Sequence, residues 1–295
     1  MMSTRASDRL ATAVLWGLAS GTVLLLGLII VHIVWAAMPA LSPSFVLGDP
    51  SDTTVGGVGP LLWNSFYMLV LTMLITVPLG MLAGIYMAEY AGEGRFTNAI
   101  RFAQEAISSV PSIVVGLFGL IVFVSALHLG FSALAGSLAL TIFNLPLMAR
   151  LVEQAIRAVP DEERQGSLAL GATKWQTIRH VVLPLAIPGV VTGIILTAGR
   201  IFGEAAALLF TAGLSTPTHY DFMDLNLLDP KSPWSPFRPA TTLSVYIWKT
   251  NSEGLGHFVT QVADGASAVL LLSVLVFNLG ARLLGRQLSR RLTAS

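Results

Sequence analysis

The stretch ERQGSLALGATKWQTIRHVVLPLAIP, residues 163–188, lies between two long apolar segments of the chain. It is polar, basic and compatible with helix, and it directly follows Pro160, Asp161 and Glu162. A proline in the first turn and acids near the positive end of the macrodipole are typical of a helix start. An insert of this kind between membrane segments predicts a surface that is presented to a partner. The alternative is an ordinary basic loop.

A second short helix is predicted after Gly171, because a glycine can supply the left-handed conformation that ends the first helix. Trp175, Ile178 and Val182 then recur at intervals of three and four residues, which predicts one apolar face on the second helix. Such a face can be buried in a groove of a partner or against the membrane helices of the chain itself. The insert is therefore predicted to form a helical hairpin.

The composition places the chain in a membrane. Hydrophobic residues make up 54% of its 295 residues and charged residues 11%, which is too apolar for a soluble domain of this length. A helix that spans the hydrocarbon core takes roughly 20 mostly apolar residues, because every backbone polar group must be paired within the segment. Six segments qualify: 11–36, 61–87, 110–129, 131–150, 185–212 and 261–284. The predicted fold class is all-α integral membrane, with six transmembrane helices.

The basic residues are distributed unequally once they are assigned to alternate sides of these spans. One side holds Arg5, Arg9, Arg95, Arg101, Arg150, Arg157, Arg164, Lys174, Arg179, Arg282, Arg286, Arg290 and Arg291. Only Lys231, Arg238 and Lys249 fall on the other side, and Arg200 lies inside a span. The positive-inside rule then predicts that both termini are cytoplasmic and that loops 39–60 and 213–260 face outward. One span more or fewer would scatter the arginines over both faces.

One membrane domain, residues 11–285, is predicted to fill most of the chain, with a cytoplasmic tail at 1–10 and a basic cytoplasmic tail at 286–295. The first apolar run is longer than the core of a signal peptide and is not followed by a clear cleavage site, so it is interpreted as a retained helix. Cysteine is absent, and the outward loops must be held by packing. The five histidines occur at spacings that suit no metal site.

Signatures of nucleotide hydrolysis and of catalysis are missing from the sequence. The segment closest to a phosphate-binding loop is GSLALGAT, residues 166–173, which lacks the Lys-Ser/Thr required after its second glycine. It also follows a membrane helix, whereas such loops follow strands. The chain is therefore not expected to be an enzyme, and any ATP hydrolysis must come from another polypeptide.

Two charged residues, Arg200 and Glu204, lie near the middle of the fifth predicted span. Charges at that depth cost about 2.5–3.5 kcal/mol each on insertion scales, so they must face protein or water. Four residues apart on one helix, they lie on the same face and can pair. One interpretation is a structural ion pair that locks two helices. The other is that Arg200 meets an anion in a translocation pathway, while Glu204 balances its charge when no anion is present.

The sequence resembles a known family at four stretches. The spacing from Gly171 to Val181, Leu183 and Pro184, G-x9-[IV]-x-L-P, resembles the EAA loop of ABC importer permeases, a cytoplasmic element that docks onto a separate ATPase subunit. Within that family the chain looks like the phosphate permeases of the PstA type. The stretches that carry this likeness are NSFYMLVLTMLITVPLGMLAGIYMAEYA (64–91), SSVPSIVVGLFGL (108–120), GATKWQTIRHVVLPLAIPG (171–189) and GRIFGEAAALLFTAG (199–213).

The resemblance implies a type I importer (MetI-like) permease fold in the bacterial inner membrane, with a coupling loop at about 157–184 and an extracytoplasmic loop at about 213–260. It implies a homologous second permease (PstC-like), an ATPase dimer (PstB-like) that holds the ATP and Mg, and an extracytoplasmic phosphate-binding protein (PstS-like). No cofactor is expected on this chain. The residues that it assigns to ATPase coupling are Leu168, Gly171, Ala172, Trp175, Ile178, Leu183 and Pro184.

The chain departs from the family pattern just before the hairpin glycine. Gln165, Gly166 and Ser167 stand where the family has Glu-Ala-Ala, and the missing carboxylate predicts a weaker contact to the ATPase. The phosphate assignment rests mainly on residues 199–213. A permease for another oxyanion, such as molybdate, sulfate or phosphonate, is the nearest alternative. A self-sufficient secondary carrier is disfavoured, because the cytoplasmic insert would then lack a clear purpose.

Overall fold

The computed structural model describes residues 4–50, 56–92, 94–215, 217, 219–253 and 259–293, and these confirm the predicted all-α fold. The helices are α1 (Thr4–Ala37), α2 (Pro43–Leu47), α3 (Gly59–Ile85), α4 (Arg95–Ser109), α5 (Ser112–Gly119), α6 (Ala133–Arg157), α7 (Asp161–Ala169), α8 (Lys174–Thr177), α9 (Leu183–Gly203), α10 (Ala206–Leu209), α11 (Leu243–Glu253) and α12 (Val259–Thr293). Three π-helical segments extend them: Tyr86–Tyr90 follows α3, Leu120–Ala126 follows α5, and Ile178–Val182 joins α8 to α9.

Five to six apolar spans are present in the described part of the chain, in agreement with the prediction of six. Five continuous helical runs are long and apolar enough to cross a membrane: Asp8–Ala37, Gly59–Tyr90, Ala133–Arg157, Lys174–Gly203 and Val259–Gly285. The sixth is a bent pair, α4 with α5 and its π-helical extension, whose axes meet at 97°.

The third predicted span, 110–129, is shorter than expected because the chain breaks before it. Val110 is extended (φ −67°, ψ 132°), and Pro111 follows it as the N-cap of α5. A proline disfavours the helical conformation of the residue before it, which separates α4 from α5 at this point. As a result α4 lies across the bundle, roughly perpendicular to α5.

The centre of the bundle is the contact between α3 and α6. A Cβ atom added to Gly84 would lie 2.5 Å from the Cβ of Val152, so only glycine permits this approach of the two helices. Met148, Val152 and Ile156 of α6 are fully buried there and pack with Val182 of the third π-helical segment. Helices α3 and α6 thus form the middle of the bundle, and they also pack against the base of the predicted hairpin.

The fifth predicted span, 185–212, is wrong over its last third, residues 204–212. α9 ends at Gly203, because Glu204 is extended (φ −73°, ψ 129°) and the chain turns into the short helix α10. This turn packs on α5, where a Cβ on Gly116 would lie 2.8 Å from the Cα of Ala207. This close contact of α10 with Gly116 of α5 takes the place of the last turns of the expected helix.

The predicted outward loop, 213–260, contains regular structure that its composition did not indicate. Residues Leu243–Glu253, near its end, form the helix α11. Leu243 and Val245 of α11 are fully buried, and Leu243 packs with Phe45 and Leu61 near the start of α3. The loop is therefore fixed onto the bundle by packing, as the absence of cysteine requires.

Candidate coupling and translocation sites

The predicted helical hairpin is confirmed, and its two helices meet at a left-handed glycine. Gly171 has a φ of 87°, a conformation that L-residues rarely adopt. Thr173 and Gln176 then form a reciprocal cap at the start of α8, with N···O distances of 3.3 and 2.8 Å. A hydrogen bond of 2.9 Å between the hydroxyls of Ser167 and Thr177 holds α7 beside α8. We call residues 161–182 the α7–α8 hairpin.

The tip of this hairpin exposes three large apolar side chains. Leu168 is 48% exposed, Leu170 is 90% exposed and Trp175 is 53% exposed. We call these three residues the hairpin tip. Ile178 and Val182, by contrast, are buried at 1% and 0% exposure, so the face that they share turns toward the chain's own core. The predicted single apolar face is therefore divided: its first residue is exposed, and the other two belong to the bundle.

The predicted coupling residues consequently fall into two groups. Gly171 is exposed at the turn, whereas Ala172, Leu183 and Pro184 are half-buried. Ile178 is too buried to contact a partner in this conformation. Leu170, the most exposed apolar residue of the hairpin, is not among the predicted residues. Its position between the end of α7 and the left-handed glycine is the signal that would have identified it.

The hairpin is tied to the end of α3 by charged contacts. Glu89, in the π-helical segment after α3, forms an ion pair with Arg164 of α7, and both side chains are largely buried. Arg164 also donates to the carbonyl of Ile156 at 2.6 Å. Lys174 donates to the backbone oxygen of Glu89, and its Nζ lies 4.9 Å from the centre of the Tyr90 ring. Displacement of the hairpin must therefore move α3 and α6 as well.

The expected pairing of Arg200 with Glu204 is wrong. α9 ends between them, and within the described residues no ion pair of 4 Å or less joins the two. The guanidinium carbon of Arg200 lies 3.9 Å from the centre of the Phe143 ring, and Glu204 accepts a hydrogen bond of 3.4 Å from the backbone N–H of Ala207. Arg200 is thus a half-buried cation on an aromatic face, without a carboxylate partner among the described residues.

Buried polar side chains line the contact between α3 and α6 next to this arginine. Thr76 donates to Thr141 at 3.3 Å, and Asn144, the neighbour of Phe143, donates to the carbonyl of Leu140 at 2.8 Å. Among the described residues, the Oγ1 of Thr72 and the Oδ1 of Asn144 are buried without a hydrogen-bond partner. These residues were not predicted as a site, although Thr72 and Thr76 lie four residues apart on α3, and Ser137, Thr141 and Asn144 recur at intervals of four and three residues on α6.

At the end of the bundle opposite the α7–α8 hairpin, a fully buried arginine organises the segment between α10 and α11. Arg238 donates to the carbonyl of Pro233 through Nε and Nη2, at 3.2 and 2.9 Å, and to the hydroxyl of Tyr220 at 2.6 Å. Tyr220 in turn donates to the Oδ1 of Asn64 in α3 at 3.0 Å. Burial lowers the pKa of Arg238 and raises the pKa of Tyr220. No local pattern in the sequence indicates that this arginine is buried.

Comparison with known proteins identifies the class to which this architecture belongs. The profile of the family described as "binding-protein-dependent transport system inner membrane component" matches residues 80–294. The chain belongs to this family, and it is a membrane permease subunit of an ABC importer.

Two kinds of curated relative are similar over most of the chain. A probable ABC transporter permease, YqgI of Bacillus subtilis, is 47% identical over the whole length of both proteins. The phosphate transport system permease PstA of Mycobacterium leprae is 35% identical over 79% of this chain and 71% of its own. PstA of Haemophilus influenzae is 32% identical over 86% of this chain and 85% of its own.

Solved structures share the fold at low sequence identity. A chain of the bacterial alginate ABC transporter, in complex with its alginate-bound periplasmic protein, has a TM-score of 0.67 at 17% identity and covers 96% of both chains. A chain of the inward-facing MetNI methionine ABC transporter has a TM-score of 0.57 at 20% identity, covering 80% of this chain and 94% of that one. These likenesses establish the MetI-like type I importer fold.

Proposed function

We propose that this chain is a PstA-like permease subunit of an ATP-driven importer of inorganic phosphate. The observation that supports phosphate as the substrate is the similarity to PstA proteins of several bacteria, at 30–35% identity over about 80% of the chain. The chemistry of Arg200 is compatible with it, because a guanidinium presents a planar set of donors that matches the oxygens of phosphate.

The anion is proposed to pass Arg200 between α9 and α6. An arginine held by an aromatic face keeps its charge available, whereas one clamped by a carboxylate must first give up that partner. Glu204 remains close in the chain and caps α10, so its carboxylate lies at the same break in the fifth span. We assign both residues to the substrate pathway, with Arg200 as the anion contact and Glu204 as the residue that shapes the break.

The α7–α8 hairpin is proposed to dock onto a separate ATPase. The exposed hairpin tip offers apolar surface for a groove of that subunit, and the buried half of the same hairpin joins it to α3 and α6. ATP and Mg would be held by the ATPase dimer (PstB-like). A second permease (PstC-like) would form the other half of the pathway, and an extracytoplasmic phosphate-binding protein (PstS-like) would deliver the substrate.

A competition experiment tests the substrate. The four kinds of subunit are co-expressed and reconstituted in vesicles, and uptake of radiolabelled phosphate is measured with unlabelled phosphate, sulfate, molybdate or a phosphonate as competitor. We expect that ATP-dependent uptake is abolished by unlabelled phosphate alone. Uptake that another oxyanion abolishes at lower concentration would reassign the substrate, and uptake without the ATPase would indicate a self-sufficient carrier.

A further inference from the structure

A charged cleft lies between α4 and α6, at the end of the bundle that carries the α7–α8 hairpin. Its volume is about 250 Å³, the space of roughly eight waters. α4 contributes Arg101 and Glu105 to its walls, and α6 contributes Arg150, Glu153 and Arg157. The pathway argued above runs past Arg200 and involves none of these residues. We call this space the α4–α6 cleft.

The charges in the cleft do not balance. Three arginines face two glutamates, and one oxygen of Glu153 accepts from both Arg101 Nη2 and Arg157 Nε at 3.0 Å. Glu153 is buried, at 8% exposure, so it fixes these two guanidinium groups at the wall. One positive charge in excess is left within a partly enclosed space.

Arg150 is the arginine that remains available. Its ion pair with Glu105 is 3.8 Å long, beyond hydrogen-bond distance, and among the described residues Arg150 makes no hydrogen bond and no further ion pair. The guanidinium of Arg150 therefore has free N–H donors. They lie beside the N–H donors of Arg101 that are not bonded to Glu153. Guanidinium forks bind the oxygens of a phosphate group in a bidentate manner, which is the arrangement that this cleft offers.

The position of α4 brings the cleft to the level of lipid headgroups. α4 lies at 97° to α5, and it exposes Phe96 and Phe102, at 72% and 74%. An amphipathic helix that carries both arginine and exposed aromatic side chains is typical of the membrane interface. Basic pockets between helices at this level bind anionic headgroups.

From these observations we propose that the α4–α6 cleft is a binding site for a phosphate group, carried either by an anionic phospholipid headgroup or by free inorganic phosphate. Arg150 and Arg101 supply the donors, and Glu105 competes for Arg150. Occupancy would fix α4 against α6, because the ligand bridges side chains of both helices. The inference does not depend on which substrate is transported.

The test uses the full chain purified with its co-expressed partner subunits, without the extracytoplasmic binding protein, in nanodiscs. Phosphatidylglycerol retained by the protein is counted by native mass spectrometry. Inorganic phosphate binding is measured separately in phosphatidylcholine nanodiscs. Arg150→Gln is compared with Arg95→Gln. This control also removes one positive charge, but from a position on α4 outside the cleft. Arg150 is 56% exposed at its side chain, so its substitution leaves the fold intact.

We expect Arg150→Gln to lower binding about fivefold, the effect of one surface charge on an anionic headgroup. Glu105→Gln is expected to raise binding, because it removes the competing carboxylate. A change seen with phosphatidylglycerol assigns the site to a lipid. A change seen with inorganic phosphate, and retained in Arg200→Leu, assigns it to the free anion. If Arg150→Gln and Arg95→Gln behave alike with both probes, the proposal is overturned.

Discussion

The carboxylate of Glu89, in the π-helical segment after α3, forms a largely buried ion pair with the guanidinium of Arg164 in α7. This contact joins the predicted docking element to the helix that packs most closely on α6. A partner that displaces the α7–α8 hairpin therefore acts on the centre of the bundle in part through this pair of side chains. The ion pair is thus a physical link between the α7–α8 hairpin and α3, and the effect of its removal can be measured.

Loss of this ion pair should uncouple the hairpin from the bundle. Glu89→Gln leaves the largely buried Arg164 with the exposed Asp161, at 3.6 Å, as its remaining ion-pair partner, which costs up to about 3 kcal/mol for a buried pair. We expect a lower melting temperature and a loss of substrate-stimulated ATPase activity in the assembled complex. Glu162→Gln is the control, because Glu162 is an exposed acid of the same hairpin. Activity that is equal in the two variants would contradict the proposed route.

The conformation of Gly171 should be required for docking. At a φ of 87° a β-branched residue is strained by about 1–2 kcal/mol, although no atom lies within 4 Å of an added Cβ. Gly171→Val should therefore reduce co-purification of the ATPase, whereas Gly171→Asn should retain most of it. Gly166→Ala, in the open middle of α7, serves as the control. Full co-purification with Gly171→Val would show that the turn is not needed.

Arg238 should stabilise the segment between α10 and α11. Arg238→Met removes the donors to Pro233, Tyr220 and the carbonyl of Pro239, and it leaves these groups buried. An unsatisfied buried group costs about 1–3 kcal/mol, so we expect a clear fall in melting temperature in detergent. Lys231→Met, at an exposed position of the same segment, should have no effect. Equal melting temperatures would show that the buried cation is dispensable.

The orientation of the chain can be tested on a cysteine-free background. Met223, in the predicted outward loop, and Leu170, in the hairpin tip, are both 90% exposed. A membrane-impermeant maleimide applied to intact spheroplasts should label Met223→Cys and should label Leu170→Cys only after lysis. The opposite pattern would place both termini outside. Ser235 is unsuitable as a reporter, because it is fully buried.

The sequence predicted the elements that have a strong local cause. Apolar runs of spanning length, the turn at Gly171 and the arrangement of basic residues each depend on neighbouring residues alone. The break after Gly203 was not predictable in this way, because it depends on the contact of Ala207 with Gly116 of another helix. Since that break separates Arg200 from Glu204, the expected ion pair was lost with it.

Burial was the other property that the sequence did not reveal. Ile178 and Trp175 are equally apolar in the pattern, yet only Trp175 is exposed, because the bundle ends between them. Arg238 was assigned to the outward side, and the structure shows that it is buried among carbonyl and tyrosine oxygens. Contacts of these kinds join residues that are distant in the chain, so local patterns do not specify them.

Phosphate uptake by Arg200 variants is the measurement that tests the proposed function most directly. Arg200→Leu and Arg200→Lys are compared with Arg282→Leu, which removes an exposed arginine from α12, outside the proposed pathway and the α7–α8 hairpin. Radiolabelled phosphate uptake is divided by the amount of assembled complex, so that a loss of assembly is not read as a loss of transport. We predict that Arg200→Leu assembles but does not transport, that Arg200→Lys is intermediate because it keeps the charge without the planar fork, and that Arg282→Leu transports normally. Uptake by Arg200→Leu at the level of the unmodified complex would contradict the assignment of Arg200 to the phosphate pathway.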